Sequence, residues 1–99
     1  MARSKYEKLA QTELESQGWL VDYKVRPRFP GRGYQVDFLG AFDLLAYRSG
    51  DPLRFISIKG HANVPSGHRK LIESFLFPIG IQKEIWTYKT NGQIKKEII

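Results

Sequence analysis

The sequence predicts an α/β domain with the element order α-β-β-β-α-β-β. Three observations predict it: apolar residues at helical spacing in two segments, apolar runs or alternation typical of strands between them, and Gly, Pro and Asn at the boundaries. A chain of 99 residues is long enough to bury one modest core. We therefore expect a single domain over residues 1–99, with a central mixed sheet flanked by helices.

The first helix is predicted at about residues 5–17. Ser4 and Glu7 have the spacing of a capping box, and apolar residues then recur at helical spacing until Gly18 ends the segment. Alternating apolar residues over 19–25 predict the first strand.

A loop rich in Pro, Gly and Arg follows over residues 26–33. The second and third strands are predicted at 37–48 and 53–59, joined by a turn at 49–52. Ser66 is a suitable N-cap for the second helix, which carries an apolar stripe.

The last third of the chain predicts a hairpin, with strands at 84–88 and 93–98. Asn91-Gly92 between them is typical of a two-residue type I′ turn. Large apolar residues at strand and helix spacing are expected in the core: Trp19, Tyr23, Phe42, Leu44, Phe55, Ile58, Leu71, Phe75 and Trp86.

Sixteen Lys and Arg against ten Asp and Glu give a net charge of +6, which suits a polyanionic partner such as a nucleic acid. The chain has no cysteine, which excludes disulfides and thiolate metal sites. It has neither an apolar run of membrane-spanning length nor a signal-peptide core, so we expect a cytoplasmic protein without membrane contact. No dinucleotide fingerprint or phosphate loop predicts an organic cofactor.

Two charged residues stand inside apolar strands. Asp43 lies within Phe-Asp-Leu-Leu-Ala-Tyr, and Lys59 closes Phe-Ile-Ser-Ile-Lys on the next strand. Burying a charge is costly unless a partner or a metal compensates it. A strand aspartate and a second carboxylate can hold Mg²⁺, while a lysine orients water or neutralises phosphate charge. The pattern therefore predicts a site that cleaves phosphodiesters.

These residues resemble the PD-(D/E)XK nuclease superfamily, and within it the archaeal-type Holliday junction resolvases and their phage relatives. Glu7 stands eleven residues before Gly18-Trp19, as the family's helix glutamate does before its Gly-aromatic pair. Asp43 matches the strand-two aspartate and Lys59 the motif lysine. The resemblance covers about residues 5–90 as an order of elements and implies a restriction-endonuclease-like fold.

The resemblance implies catalytic roles for Glu7, Asp43 and Lys59, with Mg²⁺ or Mn²⁺ held by Glu7, Asp43 and the backbone carbonyl of Ile58. Ser57 stands where the family carries Glu or Gln. Three explanations stay open: Asp37 supplies the missing charge, Ser57 acts through a water, or the site is catalytically inactive.

Glu13 is an alternative to Glu7, because a helical wheel puts Glu13 nearer the centre of the apolar face. Two histidines without a third ligand at a recognised spacing do not predict a metal site, so we expect phosphate contacts or plain exposure for them. The candidate DNA-binding residues are basic, aromatic or histidine side chains of the loops and of the second helix: Arg26, Arg28, Phe29, Arg32, Tyr34, His61, His68, Arg69 and Lys70.

We expect a divalent-metal-dependent DNA endonuclease acting on branched DNA, with a Holliday junction resolvase as the leading interpretation. Symmetric cutting of a four-way junction requires two active sites, so a homodimer is expected. The alternative is a DNA-binding module that keeps the nuclease fold and has lost metal chemistry through Ser57. A third interpretation is a small interaction domain whose charge serves only solubility.

Overall fold

The computed structural model of the chain describes residues 5–23, 41–60 and 66–99. Within these ranges the elements follow the predicted order. They are α1 (Lys5–Ser16), β1 (Leu20–Tyr23), β2 (Leu44–Tyr47), β3 (Leu53–Gly60), α2 (Ser66–Ser74), β4 (Ile81–Tyr88) and β5 (Ile94–Ile98). No helix in the described ranges is long and apolar enough to cross a membrane.

The strands form one mixed sheet in the order β1-β2-β3-β4-β5. Each neighbouring pair is antiparallel except β3 and β4, which run parallel from Leu53↔Ile81 to Gly60↔Tyr88. Parallel neighbours need a crossover connection, and α2 lies in it. The parallel register brings Gly60 and Tyr88 together, and this end of the sheet is called the C-terminal end below.

The core consists of two clusters. The first contains α1 and strand residues: Ala10, Leu14, Trp19, Leu44, Ala46, Ile56, Ile58, Trp86 and Tyr88. The second contains α2 and residues before β2 or on β4: Ala41, Phe42, Ile72 and Ile85, with Phe55, Phe75 and Phe77 packed against it. Because side chains alternate between the faces of a sheet, these clusters correspond to a helix on each face.

Helix α1 ends where the sequence predicts. Gly18 has φ +88°, and the N–H of Trp19 donates to the carbonyl of Leu14 at 3.1 Å. Only glycine adopts this left-handed conformation without strain. The indole of Trp19 is then covered by Arg48, whose guanidinium lies 4.3 Å from the ring centroid.

Three predicted details are wrong. The second strand was predicted over residues 37–48, of which 37–40 lie outside the described ranges. Residues 41–43 are not part of β2, which begins at Leu44, because the Asp43 carboxylate takes the ladder position there, as described below. The fourth strand begins earlier than predicted, at Ile81, because it pairs along the whole of β3.

The hairpin turn also differs. The N–H of Gly92 donates to the carbonyl of Lys89 at 3.0 Å, so Thr90 and Asn91 are the central residues and Gly92, with φ +87°, follows them. The Asn91 side chain accepts the N–H of Gln93, which stabilises this longer connection.

Two core expectations are wrong as well. Tyr23 and Leu71 are each 42% exposed, and Ile72 is the fully buried residue of α2. The predicted apolar stripe of Leu71, Ile72, Phe75 and Leu76 is therefore buried at Ile72 and partly buried at Phe75, whereas Leu71 and Leu76 are exposed.

Glu84 is the most buried charged residue that the structure describes, at 2% exposure. Its carboxylate accepts hydrogen bonds from Arg54 Nη2 at 2.7 Å, Trp86 Nε1 at 2.9 Å and Gln82 Nε2 at 2.9 Å. Burial raises the pKa of Glu84, but the hydrogen bonds from Arg54 and Trp86 outweigh it, so the net pKa lies below its ordinary value. Glu84 and Arg54 therefore tie β4 to β3 as an ion pair.

We predict that Glu84→Gln costs about 3–5 kcal/mol of unfolding free energy at pH 7, because it leaves Arg54 buried without its counter-charge. The carboxylate stabilises the fold fully above the ordinary pKa of 4.5, and this contribution is lost as the pH falls through the lowered pKa. Urea unfolding at a series of pH values should therefore show the difference in unfolding free energy between wild type and variant narrowing as the pH falls below 4.5.

The matched control is Asp51→Asn, which breaks the exposed ion pair with Arg48 in the β2–β3 turn. Exposed pairs contribute less than about 1 kcal/mol. Equal effects of the two substitutions, or a Glu84→Gln gap independent of pH, would contradict the assignment.

Candidate functional site

Asp43 immediately precedes β2 and is bound to β3 twice. Its N–H donates to the carbonyl of Ile56 at 2.9 Å, and its Oδ2 accepts the N–H of Ile58 at 2.6 Å. The regular pairing of β2 with β3 ends at Leu44↔Ile56, so the carboxylate occupies the next position of the ladder. The apolar segment thus accommodates Asp43 because a backbone N–H donates a hydrogen bond to its charged carboxylate.

The carbonyl of Ile58 lies on the same side of β3 as its N–H. In a strand the N–H and C=O of one residue point to the same neighbouring strand, which is why opposed residues can exchange both bonds. Since the N–H of Ile58 points to Asp43, its carbonyl points to that side as well. A carboxylate and a backbone carbonyl therefore lie side by side at the C-terminal end.

Lys59 follows at the end of β3, paired in register with Thr87 and half-buried. By strand alternation it shares the face of Ser57. Its ammonium makes no hydrogen bond or ion pair with any residue in the described ranges. The charge of Lys59 is thus not committed to a described carboxylate.

Ser57 is fully buried, and its hydroxyl lies 2.8 Å from Nε2 of His68 in the first turn of α2. Which group donates depends on the histidine tautomer. Sequence reasoning treated the two residues separately and did not anticipate the bond. The only indication in the sequence is a small polar residue at a position facing α2 in an otherwise apolar strand.

The two candidate glutamates of α1 lie in different surroundings. Tyr6 packs so closely on the end of β3 that a Cβ on Gly60 would clash with its ring. This contact brings the first turn of α1, including Glu7, to the C-terminal end. Glu13, farther along the helix, forms an ion pair with Lys96 of β5. The arrangement therefore favours Glu7 over Glu13 as the helix carboxylate of this site.

Arg69 holds α2 against β5. Its guanidinium binds Glu97 through two contacts, of 2.9 and 3.0 Å, and these hydrogen bonds raise the pKa of Arg69 and lower that of Glu97. Its neighbour Lys70 is exposed. Of these two candidate DNA contacts, Lys70 thus has the more accessible charge.

Seven candidate residues lie outside the described ranges. They are Arg26, Arg28, Phe29, Arg32, Tyr34, Asp37 and His61. Their predicted roles stay predictions.

The fit to a divalent ion depends on oxygen donors. Asp43 and the carbonyl of Ile58 supply adjacent hard ligands of the kind that Mg²⁺ and Mn²⁺ prefer. Among the described residues, no three His, Asp or Glu side chains are grouped closely enough to form a complete metal site. A second carboxylate, from Glu7 after a side-chain rearrangement or from Asp37, would have to join Asp43.

Comparison of the chain with protein-family models, with curated proteins and with solved structures finds no match. The residues of the chain and their geometry are therefore the basis of the function proposed below.

We predict that Ser57 and His68 are energetically coupled by about 1 kcal/mol, the usual value for a part-buried hydrogen bond. Urea unfolding of Ser57→Ala, His68→Ala and the double variant measures this, because the double variant should lose less than the sum of the singles. Ser74→Ala is the control, since its hydroxyl bonds the carbonyl of Leu71 at an exposed helix end. Strict additivity of the Ser57 and His68 substitutions would show that the bond does not stabilise the fold.

Proposed function

We propose that the protein is a Mg²⁺- or Mn²⁺-dependent endonuclease of restriction-endonuclease-like fold that acts on branched DNA, with the four-way Holliday junction as its leading substrate. The proposal is supported by one observation: the Asp43 carboxylate, the Ile58 carbonyl and residue Lys59 all lie at the same end of β3. The net charge of +6 supports a polyanionic substrate.

The topology supports the proposed fold. Three antiparallel strands, a helix and then a parallel strand follow α1 in the order that the resemblance implies. Both helices and the parallel pair β3–β4 bring their site residues towards the same end of the sheet.

In this proposal Asp43, the Ile58 carbonyl and Glu7 or Asp37 hold the metal ion. When bound, the ion supplies Lewis-acid stabilisation of the phosphate and lowers the pKa of a coordinated water. Asp43 orients towards the site through its bond to Ile58, and Lys59 neutralises charge that develops on the phosphate oxygens. Ser57 has an indirect role, because its hydrogen bond with His68 holds α2 beside the site.

The second candidate function is a DNA-binding module without catalysis. The specific observation that favours it is that the motif position carries Ser57 instead of a carboxylate, and that the Ser57 hydroxyl is already bonded to His68. Under this alternative, neutralising Asp43 leaves DNA binding intact or improves it, because a negative charge near the phosphates is removed.

We further propose a homodimer, as symmetric cleavage of a four-way junction requires two active sites. Leu76, Ile79 and Ile98 are 94%, 106% and 69% exposed. Leu76 and Ile79 lie in the segment that leads into β4, and Ile98 ends β5. These side chains belong to the end of the sheet opposite Lys59, so association through them would leave both proposed sites open.

We predict that Asp43→Asn lowers cleavage of a labelled four-way junction by at least about 100-fold in Mg²⁺ or Mn²⁺. Asparagine keeps an acceptor for the Ile58 N–H, so the fold should persist, while the ligand charge is lost. Lys59→Met keeps the aliphatic stem and should lower single-turnover cleavage similarly, with junction affinity within a few fold of wild type. Gel assays of cleavage and fluorescence anisotropy of binding measure the two quantities.

Asp51→Asn is the control for the carboxylate, because Asp51 lies at the opposite end of β3 in an exposed ion pair. A wild type that binds the junction but does not cut it in either metal would favour the binding module. Equal losses of binding and cleavage in Lys59→Met would make this lysine an ordinary phosphate contact.

A further inference from the structure

Strand β5 is at the edge of the sheet, and its outer side is open. Within the described ranges no strand pairs with the side of β5 that faces away from β4. The N–H of Ile99 donates to the carbonyl of Lys83 at 2.9 Å, just beyond the regular β4–β5 ladder. Because bonded pairs alternate along an antiparallel ladder, the odd-numbered residues of β5 bond to β4. The residues that direct their N–H and C=O groups outwards are therefore Ile94, Lys96 and Ile98.

The side chains of β5 are divided between the two faces of the sheet. Lys96 forms its ion pair with α1, whereas Glu97 forms its ion pair with α2. By alternation Ile94 and Ile98 share the α1 face with Lys96, and Lys95 shares the α2 face with Glu97. The strand is thus balanced about Lys96, with an isoleucine at each end on one face and opposite charges on the other.

We propose that β5 pairs with β5 of a second copy of the chain, antiparallel and with Lys96 opposite Lys96, so that the two five-stranded sheets become continuous. An open row of backbone donors and acceptors is a template for a further strand. The proposal specifies the contact of the proposed homodimer and rests on the proposed function in that respect alone, since the pairing requires no cleavage.

Charge selects this register. Opposite residues of a two-fold antiparallel pair share a face, so the centre of the pair can lie at Lys95, at Lys96 or at Glu97. With Lys96 at the centre, Lys95 of each copy lies opposite Glu97 of the other. With Lys95 or Glu97 at the centre, two like charges face each other on the α2 face and no pair of opposite charges forms. Opposite charges across two strands are stabilising and like charges are destabilising.

The two central lysines do not prevent this pairing. Lysine on an edge strand usually opposes the addition of another strand. Here the Lys96 ammonium binds Glu13 of its own chain and lies 4.3 Å from the centroid of the Trp86 ring. Its charge is therefore compensated on the α1 side of each copy before the two strands meet.

The pairing also covers apolar surface. Ile98 is 69% exposed, and Leu9 of α1 is 53% exposed. Leu9 and Ile94 line a cavity between α1 and the β4–β5 hairpin. In the proposed register Ile98 of one copy lies opposite Ile94 of the other, at the rim of this cavity, and the two-fold axis repeats the contact. Removing these side chains from water stabilises the dimer.

The first test removes one outward donor. Lys96→Pro deletes an N–H that the β4–β5 ladder does not use, so the fold should persist. Lys96→Ala is the matched control, because it removes the same side chain and keeps the N–H. In analytical ultracentrifugation of the whole chain, wild type and Lys96→Ala should dimerise, and Lys96→Pro should dimerise at least about 10-fold more weakly. Equal dimerisation of the three proteins would overturn the proposal.

The second test exchanges charges. Lys95→Glu gives two Glu–Glu pairs across the contact, and Glu97→Lys gives two Lys–Lys pairs. Each variant alone should dimerise at least about 10-fold more weakly than wild type. An equimolar mixture of the two should form a heterodimer in native mass spectrometry, because opposite charges then face each other at both positions. Glu97→Lys also breaks the ion pair with Arg69, but mixing does not repair that loss. A mixture as weak as its components would overturn the register.

Ile79→Asp is the control for association through the end of the sheet opposite Lys59, since Ile79 is 106% exposed and lies outside β5. A dimer lost in Ile79→Asp and kept in Lys96→Pro would overturn the edge pairing. A wild type that stays monomeric at about 1 mM would do the same. Edge pairing in a protein that cuts no DNA would support the contact and count against the nuclease, whereas cleavage by a strictly monomeric protein would do the reverse.

Discussion

The hydrogen bond from the Ile58 N–H to the Asp43 carboxylate is the interaction on which the candidate site depends. The regular pairing of β2 with β3 ends at this point, and the carboxylate accepts the Ile58 N–H in place of a strand carbonyl. A charged side chain is therefore accommodated there. The bond also fixes the direction of the Ile58 carbonyl, which points to the same side of β3. One contact thus satisfies a backbone donor of the sheet and holds two candidate ligand oxygens on the same side of β3.

The rest of the fold supports this end of the sheet. The ion pair of Arg54 and Glu84 joins the parallel strands, and their register makes β3 and β4 end together. Helix α2 is secured at both ends, by His68 on Ser57 and by Lys83, whose ammonium donates to carbonyls at the end of the helix, including that of Ile72 at 3.0 Å. Cations are favourable at a helix C-terminus, so Lys83 complements the dipole of α2.

The element order could be predicted from the sequence, because helical periodicity and apolar strands are local patterns. A charge within an apolar strand is a local pattern too, and it made Asp43 a candidate site residue. The bond between Ser57 and His68 could not, since it depends on how α2 docks on β3. The choice between Glu7 and Glu13 likewise required tertiary contacts: the helical wheel put Glu13 nearer the apolar face, and Lys96 of a distant strand pairs with it. The hairpin turn was mispredicted because Asn91 uses its side chain to accept a backbone N–H, an alternative to the left-handed conformation.

The proposed function requires Asp43 and Ile58 to form part of a divalent-metal site. The most direct measurement is anomalous diffraction from crystals of the protein soaked in Mn²⁺. We expect a Mn²⁺ peak about 2.0–2.6 Å from both a carboxylate oxygen of Asp43 and the carbonyl oxygen of Ile58, with a second carboxylate completing the site. Mn²⁺ bound only elsewhere on the protein, with Asp43 bonded to Ile58 alone, would contradict it.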